Sequence, residues 1–158
     1  MTIDPVLFRR TAGMFATGVL VVTTGRQGTF RAITVNSFTT VSLDPTLLLI
    51  CLDRRSRTLP IMLESGSLTV NVLRDDQEHI SRMFATSSVE NGLDQVEWEI
   101  GLVGTPVISG CLAYFHCHLM ETYDAGDHVI VIARVEEAQI GEEGRPLIFF
   151  RGKYGLDN

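Results

Sequence analysis

Residues 34–58 read TVNSFTTVSLDPTLLLICLDRRSRT. The apolar run within it, Leu47 to Leu52, is short, and with Thr46 it predicts a strand apolar on both faces. Before it, Thr39 to Pro45 predicts an irregular connection with Asp44-Pro45 as its turn. After it, Asp53-Arg54-Arg55-Ser56-Arg57-Thr58 gathers cationic and hydroxyl groups where a helix begins. Ser56 stands as N-cap, Pro60 falls in the tolerant first turn, and Gly66 provides the stop after Glu64. Free helix N–H groups, hydroxyls and guanidinium groups within one turn suit a phosphate. The same residues equally describe an ordinary Ser-capped helix with solvated arginines.

Outward from this stretch the pattern is dominated by strands. Toward the N-terminus, Pro5 to Ala16 has helical spacing, with Asp4 as N-cap and Pro5 at the first helical position. Val19 to Thr24 is β-branched and continuous, a strand buried on both faces. Gly25-Arg26-Gln27-Gly28 is a hairpin signal, and the next strand runs from Thr29 to Ser37. Toward the C-terminus, Ser67 to Leu73 alternates as a half-buried strand. Asp75 and Glu78 form a capping-box pattern ahead of a helix to Ala85, with Ile80, Met83 and Phe84 on its face. Thr86 to Gly104 is irregular, diluted by Ser87, Ser88, Asn91, Gly92 and Gly101, with Trp98 as its anchor; its length marks a flap or a loop over a site. Pro106 to Gly110 predicts a turn. Cys111 to Tyr123 and His128 to Ile140 predict a long hairpin turned by Asp124-Ala125-Gly126-Asp127, with Val129, Val131, Ala133 and Val135 on one face. After the turn Gly141 to Gly144, Leu147 to Phe150 is a last strand. About seven strands joined by hairpins, with only three short helices, predict a mainly β fold, an antiparallel barrel with helical additions.

The 158 residues make one domain, residues 1–158, large enough to bury a core without disulfides. Thirteen Lys and Arg against 19 Asp and Glu give a net charge of −6, which argues against a nucleic-acid binder while leaving room for a local basic pocket. No apolar run approaches the roughly 20 residues of a bilayer span, and the N-terminus has no signal core, so a cytoplasmic location is expected. Cys51, Cys111 and Cys117 read as buried thiols.

Chemical motifs are few. Thr34-Val35-Asn36-Ser37 offers side chains and edge backbone groups to a heterocycle rim, or else is a strand end with its hydroxyls in water. His116-Cys117-His118 puts two histidines on one strand face without a clear third ligand, so no metal site is expected. There is no G-x-S-x-G elbow, and no G-x-G-x-x-G follows the first strand. Gly126-Asp127-His128 is a hairpin tip, either a plain turn or a rim imidazole on which a second ligand stacks. No catalytic acid, base or nucleophile stands out.

Taken together, FRRTAGMFATGVLVVTT (residues 8–24), TVNSFTTVSLDP (34–45), CLDRRSRT (51–58), SLTVNVL (67–73), GTPVISGCLAYFHC (104–117), AGDH (125–128) and FFRGKY (149–154) occur in an order that resembles the short-chain flavin reductase family, the reductase components of two-component flavin-dependent monooxygenases. The resemblance implies an antiparallel split β-barrel, a homodimer, and an NAD(P)H-dependent flavin reductase. Such an enzyme takes FMN or FAD and NADH or NADPH and delivers reduced flavin to a separate oxygenase. A flavin-binding split barrel without turnover is the alternative. By similarity, Thr34, Asn36 and Ser37 meet the isoalloxazine edge. Asp53, Ser56, Arg57 and Thr58 hold the ribityl-phosphate end, and Phe84 lies near the flavin. His128, Arg151 and Tyr154 line the nicotinamide side. The chain departs from the family in Ala32-Ile33, where Gly-Met is frequent, in Lys153, where arginine is common, and through the segment 86–104.

Overall fold

The computed structural model describes residues 1–86 and 92–157. Asp4 accepts the Val6 amide and starts helix α1 (Pro5–Ala12), which Gly13 ends one turn earlier than its spacing predicts. Strands β1 (Thr17–Gly18), β2 (Leu20–Thr24), β3 (Arg31–Val35), β4 (Phe38–Leu43) and β5 (Thr46–Asp53) follow. Helix α2 (Thr58–Ser65) ends at Gly66, whose φ of 69° is the left-handed conformation a glycine adopts without strain. Next come β6 (Ser67–Val72), a 3₁₀ turn (Asp75–Gln77) leading into α3 (Glu78–Ala85), a second 3₁₀ turn (Gly92–Gln95), β7 (Trp98–Ile100) and β8 (Pro106–Ile108). The long strands β9 (Ala113–Ala125) and β10 (His128–Ile140) precede β11 (Ile148–Phe150) and β12 (Lys153–Tyr154).

Seven strands form one antiparallel sheet in the order β3-β2-β6-β9-β10-β5-β4. Its two terminal strands, β3 and β4, are joined by only Asn36 and Ser37. Three Cα steps of 3.80 Å cannot span more than about 11 Å, so the sheet must curl until its two edges meet. The edges do not pair with each other. Instead the Ser37 hydroxyl donates to the Cys51 carbonyl (2.9 Å) and accepts from the Cys51 amide (3.0 Å), pinning the link across β5. Register shifts at Ile132/Ala133 and Val135/Glu137 in the β9–β10 hairpin add bend to the sheet. The result is a barrel left split along β3, the antiparallel split barrel expected from the sequence.

The interior is filled by Leu20, Val22, Leu48, Ile50, Leu52, Leu68, Val70, Cys117, Val129 and Val131, plugged at one end by Leu59 and Met62 of α2. A second core lies on the outer face of β2, where Val19, Val21 and Leu73 meet Ile80 and Phe84 of α3 together with Leu93, Ile108 and Leu147. Two cores on opposite faces explain why β2 is wholly buried.

Several expectations change. Thr39 to Leu43 is not irregular: β4 pairs with β5, and its residues look loop-like because most of them face solvent. Pro106 to Ile108 is a buried strand paired with β7, not a turn. The twelve strands exceed the expected seven because β4 reads as a connection and because β1, β7, β8 and β12 are only two or three residues long. The amide ahead of the first 3₁₀ turn is capped by Gln77, which accepts from Arg74 N at 2.9 Å, rather than by an Asp75/Glu78 pair. Of the irregular segment, Ser87, Ser88 and Asn91 lie outside the described residues. Trp98 is the anchor expected, its Nε1 donating to Leu93 O (2.8 Å) and its ring edge-on to Phe30.

β6 is buried on both faces rather than half-buried. Its polar face, Thr69 and Asn71, is covered by β8 and satisfied internally. Asn71 Nδ2 donates to Val21 O, and its Oδ1 accepts from Ile108 N. Thr69 Oγ1 lies 2.6 Å from Thr105 Oγ1 and 3.1 Å from His116 Nδ1. Gly101 packs so tightly here that a Cβ would fall 2.2 Å from His116 Cε1. Burial lowers the His116 pKa, and Glu137 across the strand pair opposes this weakly. The folded chain therefore holds His116 neutral at a pH where the unfolded chain protonates it, near 6.5. Since the unfolded state binds the extra proton, this contribution is present above pH 6.5 and is lost as the pH falls. Urea unfolding at pH 7.5 and 5.0 is expected to show a larger acid loss of stability for the native chain than for His116→Gln, with His79, His118 and His128 cancelling between the two. Equal losses would contradict the assignment.

Candidate functional site

The split leaves a cleft of about 810 Å³. One wall is β3, Arg31 to Thr34; the other is the segment after β5, with Asp53, Arg55, Ser56, Arg57, Thr58 and Ile61; Phe84, Ala85 and Thr86 close it from the end of α3. Because β3 is a terminal strand of the sheet, its outer backbone N–H and C=O groups have no ladder partner among the described residues, and Arg31 to Thr34 lie on the cleft wall. Such an edge suits a planar heterocycle with alternating donors and acceptors.

Six of the eleven residues singled out from sequence meet here: Thr34, Asp53, Ser56, Arg57, Thr58 and Phe84. Their roles differ in detail from a simple capped helix. α2 begins at Thr58, one residue later than a Ser56 N-cap on Arg57 would place it, yet Ser56 Oγ still accepts from Thr58 N at 3.1 Å. The three arginines separate. Arg54 turns to the β9–β10 tip, paired with Asp124 at 3.1 Å and donating to Gly126 O. Arg55 grips both oxygens of Asp53 (3.2 and 3.1 Å), and its amide donates to the same carboxylate. These bonds hold the Asp53 pKa down at about 2, so the pair is ionised and mutually neutralised at any ordinary pH. Arg57 remains on the cleft wall.

Thr34 Oγ1 donates to Ser81 O (2.6 Å), and Ser81 Oγ lies 2.6 Å from Tyr154 OH. Tyr154 therefore reaches the cleft through α3 and not directly. Its ring stands edge-on to Phe149 and beneath the Arg82 guanidinium. Arg151, at φ 54°, is fixed by its amide to Gly13 O and lays its guanidinium over Phe150. Neither residue lines the cleft. Asn36 is exposed on the link, and Ser37 spends its hydroxyl on Cys51. His128 begins β10 directly across from Asp53, with Nδ1 at 2.7 Å from Asp127 Oδ1, which puts an imidazole beside the Asp53 wall.

Reading the sequence missed Arg31, Ile61 and Thr86 as cleft residues, and noted Ala32 and Ile33 only through the family resemblance, as a departure near the flavin. Ala32 and Ile33 offer backbone there, and no side-chain pattern marks a free strand edge. Among the described residues there is no group of three or more metal-ligating side chains, and the three cysteines are unpaired. Burial pushes the thiols of Cys111 and Cys117 up to about 12, so both stay protonated and inert.

Comparison with known proteins gives the fold and cleft a lineage. The family model "Flavin reductase like domain" matches residues 11–155. A probable flavin reductase of Rhizobium meliloti (strain 1021) is 44% identical over 133 residues, covering 84% of this chain; the chain spans only 42% of that relative's length. The reductase subunit HsaB of a flavin-dependent monooxygenase from Rhodococcus jostii (strain RHA1) is 35% identical, covering 96% of this chain and 77% of the relative. Among solved structures, the NADH:FAD oxidoreductase SgcE6 of Streptomyces globisporus, in complex with NAD and FAD fragments, superposes with a TM-score of 0.91 at 35% identity, covering 100% of this chain and 97% of the other. With a matched model over nearly its whole length, this chain belongs to the flavin reductase-like family.

Proposed function

We propose that this chain is an NAD(P)H:flavin oxidoreductase that binds FMN or FAD in the barrel split and hands reduced flavin to a separate oxygenase. The observation that carries the reading is the juxtaposition of a free strand edge with a hydroxyl- and arginine-bearing corner across one cleft. The two halves fit the two halves of a flavin, a flat ring with a polar rim and a phosphate on a ribityl chain. Bound there, the flavin supplies the hydride-accepting ring, so no acid, base or nucleophile is required of the protein. β3 amides orient the polar rim and offer donors where negative charge develops on reduction. Ser56 and Arg57 hold the phosphate. The Asp53–Arg55 pair keeps the wall electrically neutral, so it does not repel the incoming anion. His128 stands over the rim next to Asp53 and positions the nicotinamide, while Tyr154, through Ser81, fixes α3 and the Thr34 wall. The relationship to an oxygenase reductase subunit supports delivery of reduced flavin to a partner.

The chain works as a homodimer in the cytoplasm on this reading. α1 buries none of its residues and leaves Val6, Leu7 and Phe8 more than half exposed, with Met14 and Phe15 beside them; a second copy covers such a surface. No described helix is long and apolar enough to cross a membrane.

Purified protein is expected to oxidise NADH or NADPH only when FMN or FAD is added or already bound. Flavin binding with no nicotinamide turnover in any combination would favour a flavin-carrying barrel instead. His128→Ala is expected to raise the nicotinamide KM several-fold more than it raises the flavin Kd, and equal effects would remove His128 from the nicotinamide side. Replacing Arg57 by Met is expected to weaken FMN about tenfold while leaving riboflavin, which lacks the phosphate, within twofold. Equal losses for both ligands would place the phosphate elsewhere.

A further inference from the structure

The tip of the β9–β10 hairpin meets the corner that follows β5, and one residue joins the two. The Arg54 amide donates to Asp127 O at 2.9 Å. The Arg54 guanidinium pairs with Asp124 Oδ1 at 3.1 Å and donates from Nε to Gly126 O at 3.4 Å. Asp127 in turn lies against His128, with 2.7 Å between Oδ1 and Nδ1. From this arrangement we propose that Arg54 is a positioning residue, which ties the hairpin tip to the Ser56–Arg57 corner and so holds the His128 imidazole in place for the nicotinamide. The inference rests on His128 lining the nicotinamide side, and it goes further by naming what fixes the imidazole there.

Burial does not anchor the tip, since Glu121 to Asp127 are all exposed. Its order depends on the backbone ladders and on what grips it from the flank. The β10–β5 ladder ends at the pair His128–Asp53, and the bond from the Arg54 amide to Asp127 O carries it one step further. That backbone bond survives a side-chain substitution at position 54. The guanidinium adds two more points across the turn, one on Asp124 and one on Gly126.

The charges at the tip are matched one to one. Asp53 has Arg55, Asp124 has Arg54 and Asp127 has His128. The His128 contact holds the Asp127 carboxyl below the usual carboxylate range, so it is a carboxylate at ordinary pH. A carboxylate only accepts hydrogen bonds, so Nδ1 is the protonated nitrogen of His128 and Nε2 is the one left for a ligand. Arg54 and Asp124 both reach solvent, and an exposed pair of this kind adds little to folding stability. Its effect is therefore read in nicotinamide binding.

The experiment measures the NADH KM and turnover number, the NAD⁺ Kd by titration and the FMN Kd. It compares the native chain with Arg54→Met, Asp124→Asn, His128→Ala and the double variant R54M/H128A. R54M is expected to raise the NADH KM and the NAD⁺ Kd about fivefold and to leave the turnover number and the FMN Kd within about twofold. D124N removes the pair from its other end and is expected to raise the same two constants. Added to H128A, R54M is expected to change neither further, because the tether acts through the imidazole. A full penalty on the H128A background, or a fall in KM for D124N, would assign the effect to repulsion of an anionic dinucleotide and overturn the positioning role. So would an R54M variant that matches the native chain in both constants while H128A raises them. Should R54M not fold, D124N decides: a rise supports the tether, and an unchanged or lower KM overturns it. H128A values equal to those of the native chain would sink the assignment of His128 to the nicotinamide side, and the proposal with it, a result distinct from failure of the Arg54 tether alone.

Discussion

Everything in this structure depends on a two-residue link. Asn36 and Ser37 join strands that stand at opposite ends of a seven-stranded sheet. A link that short forces the sheet to close on itself, yet it does so covalently and through one hydroxyl rather than through a backbone ladder. The seam is pinned by Ser37 on Cys51, and among the described residues β3 has no strand neighbour on its outer side. An unpaired strand edge is ordinarily a liability for association. Here it faces a cleft whose opposite wall carries Ser56 and Arg57, the arrangement on which the proposed flavin site rests.

The same closure positions the rest of the site. Bringing β3 against the end of β5 places the start of α2 beside the free edge. β10, paired to β5, places His128 across from Asp53. α3 lies against the outer face of β2, held by Ile80 and Phe84 in the second core, and its C-terminal end caps the cleft. The polar layer of Thr69, Asn71, Thr105 and His116 then fixes β8 to the barrel wall, and β7, paired with β8, carries Trp98. A buried polar layer of this kind is stable only because each member finds a partner.

Much of this was legible in the sequence, for identifiable reasons. Long periodic elements, β2, β5, β9 and β10, announce themselves because burial on one or both faces demands continuous or alternating apolar residues. The Ser56–Thr58 corner is visible because hydroxyl and guanidinium groups clustered at a helix start form a recognisable side-chain pattern. What was not legible is what side chains do not encode. β4 reads as a loop since it is largely solvent-facing, and β8 reads as a turn since it is three residues long. Backbone at Ala32 and Ile33 contributes to the cleft without any distinctive residue. Arg151 and Tyr154, placed at the nicotinamide side by family likeness, stand off the cleft, where contacts to Phe150 and Ser81 hold them. The divergence of Arg54 to Asp124 and of Arg55 to Asp53, with Arg57 on the cleft wall, also lies beyond sequence spacing, because adjacent residues at a turn point in unrelated directions.

The central claim is that the open seam of the barrel is the flavin site. Hydrogen–deuterium exchange of the native chain with and without saturating FMN or FAD tests it most directly. The account predicts slowed exchange in two segments, β3 from Arg31 to Thr34 and the corner from Ser56 to Thr58, brought together only by closure of the sheet. Protection confined to other segments, with β3 exchanging as fast as in the free protein, would contradict it.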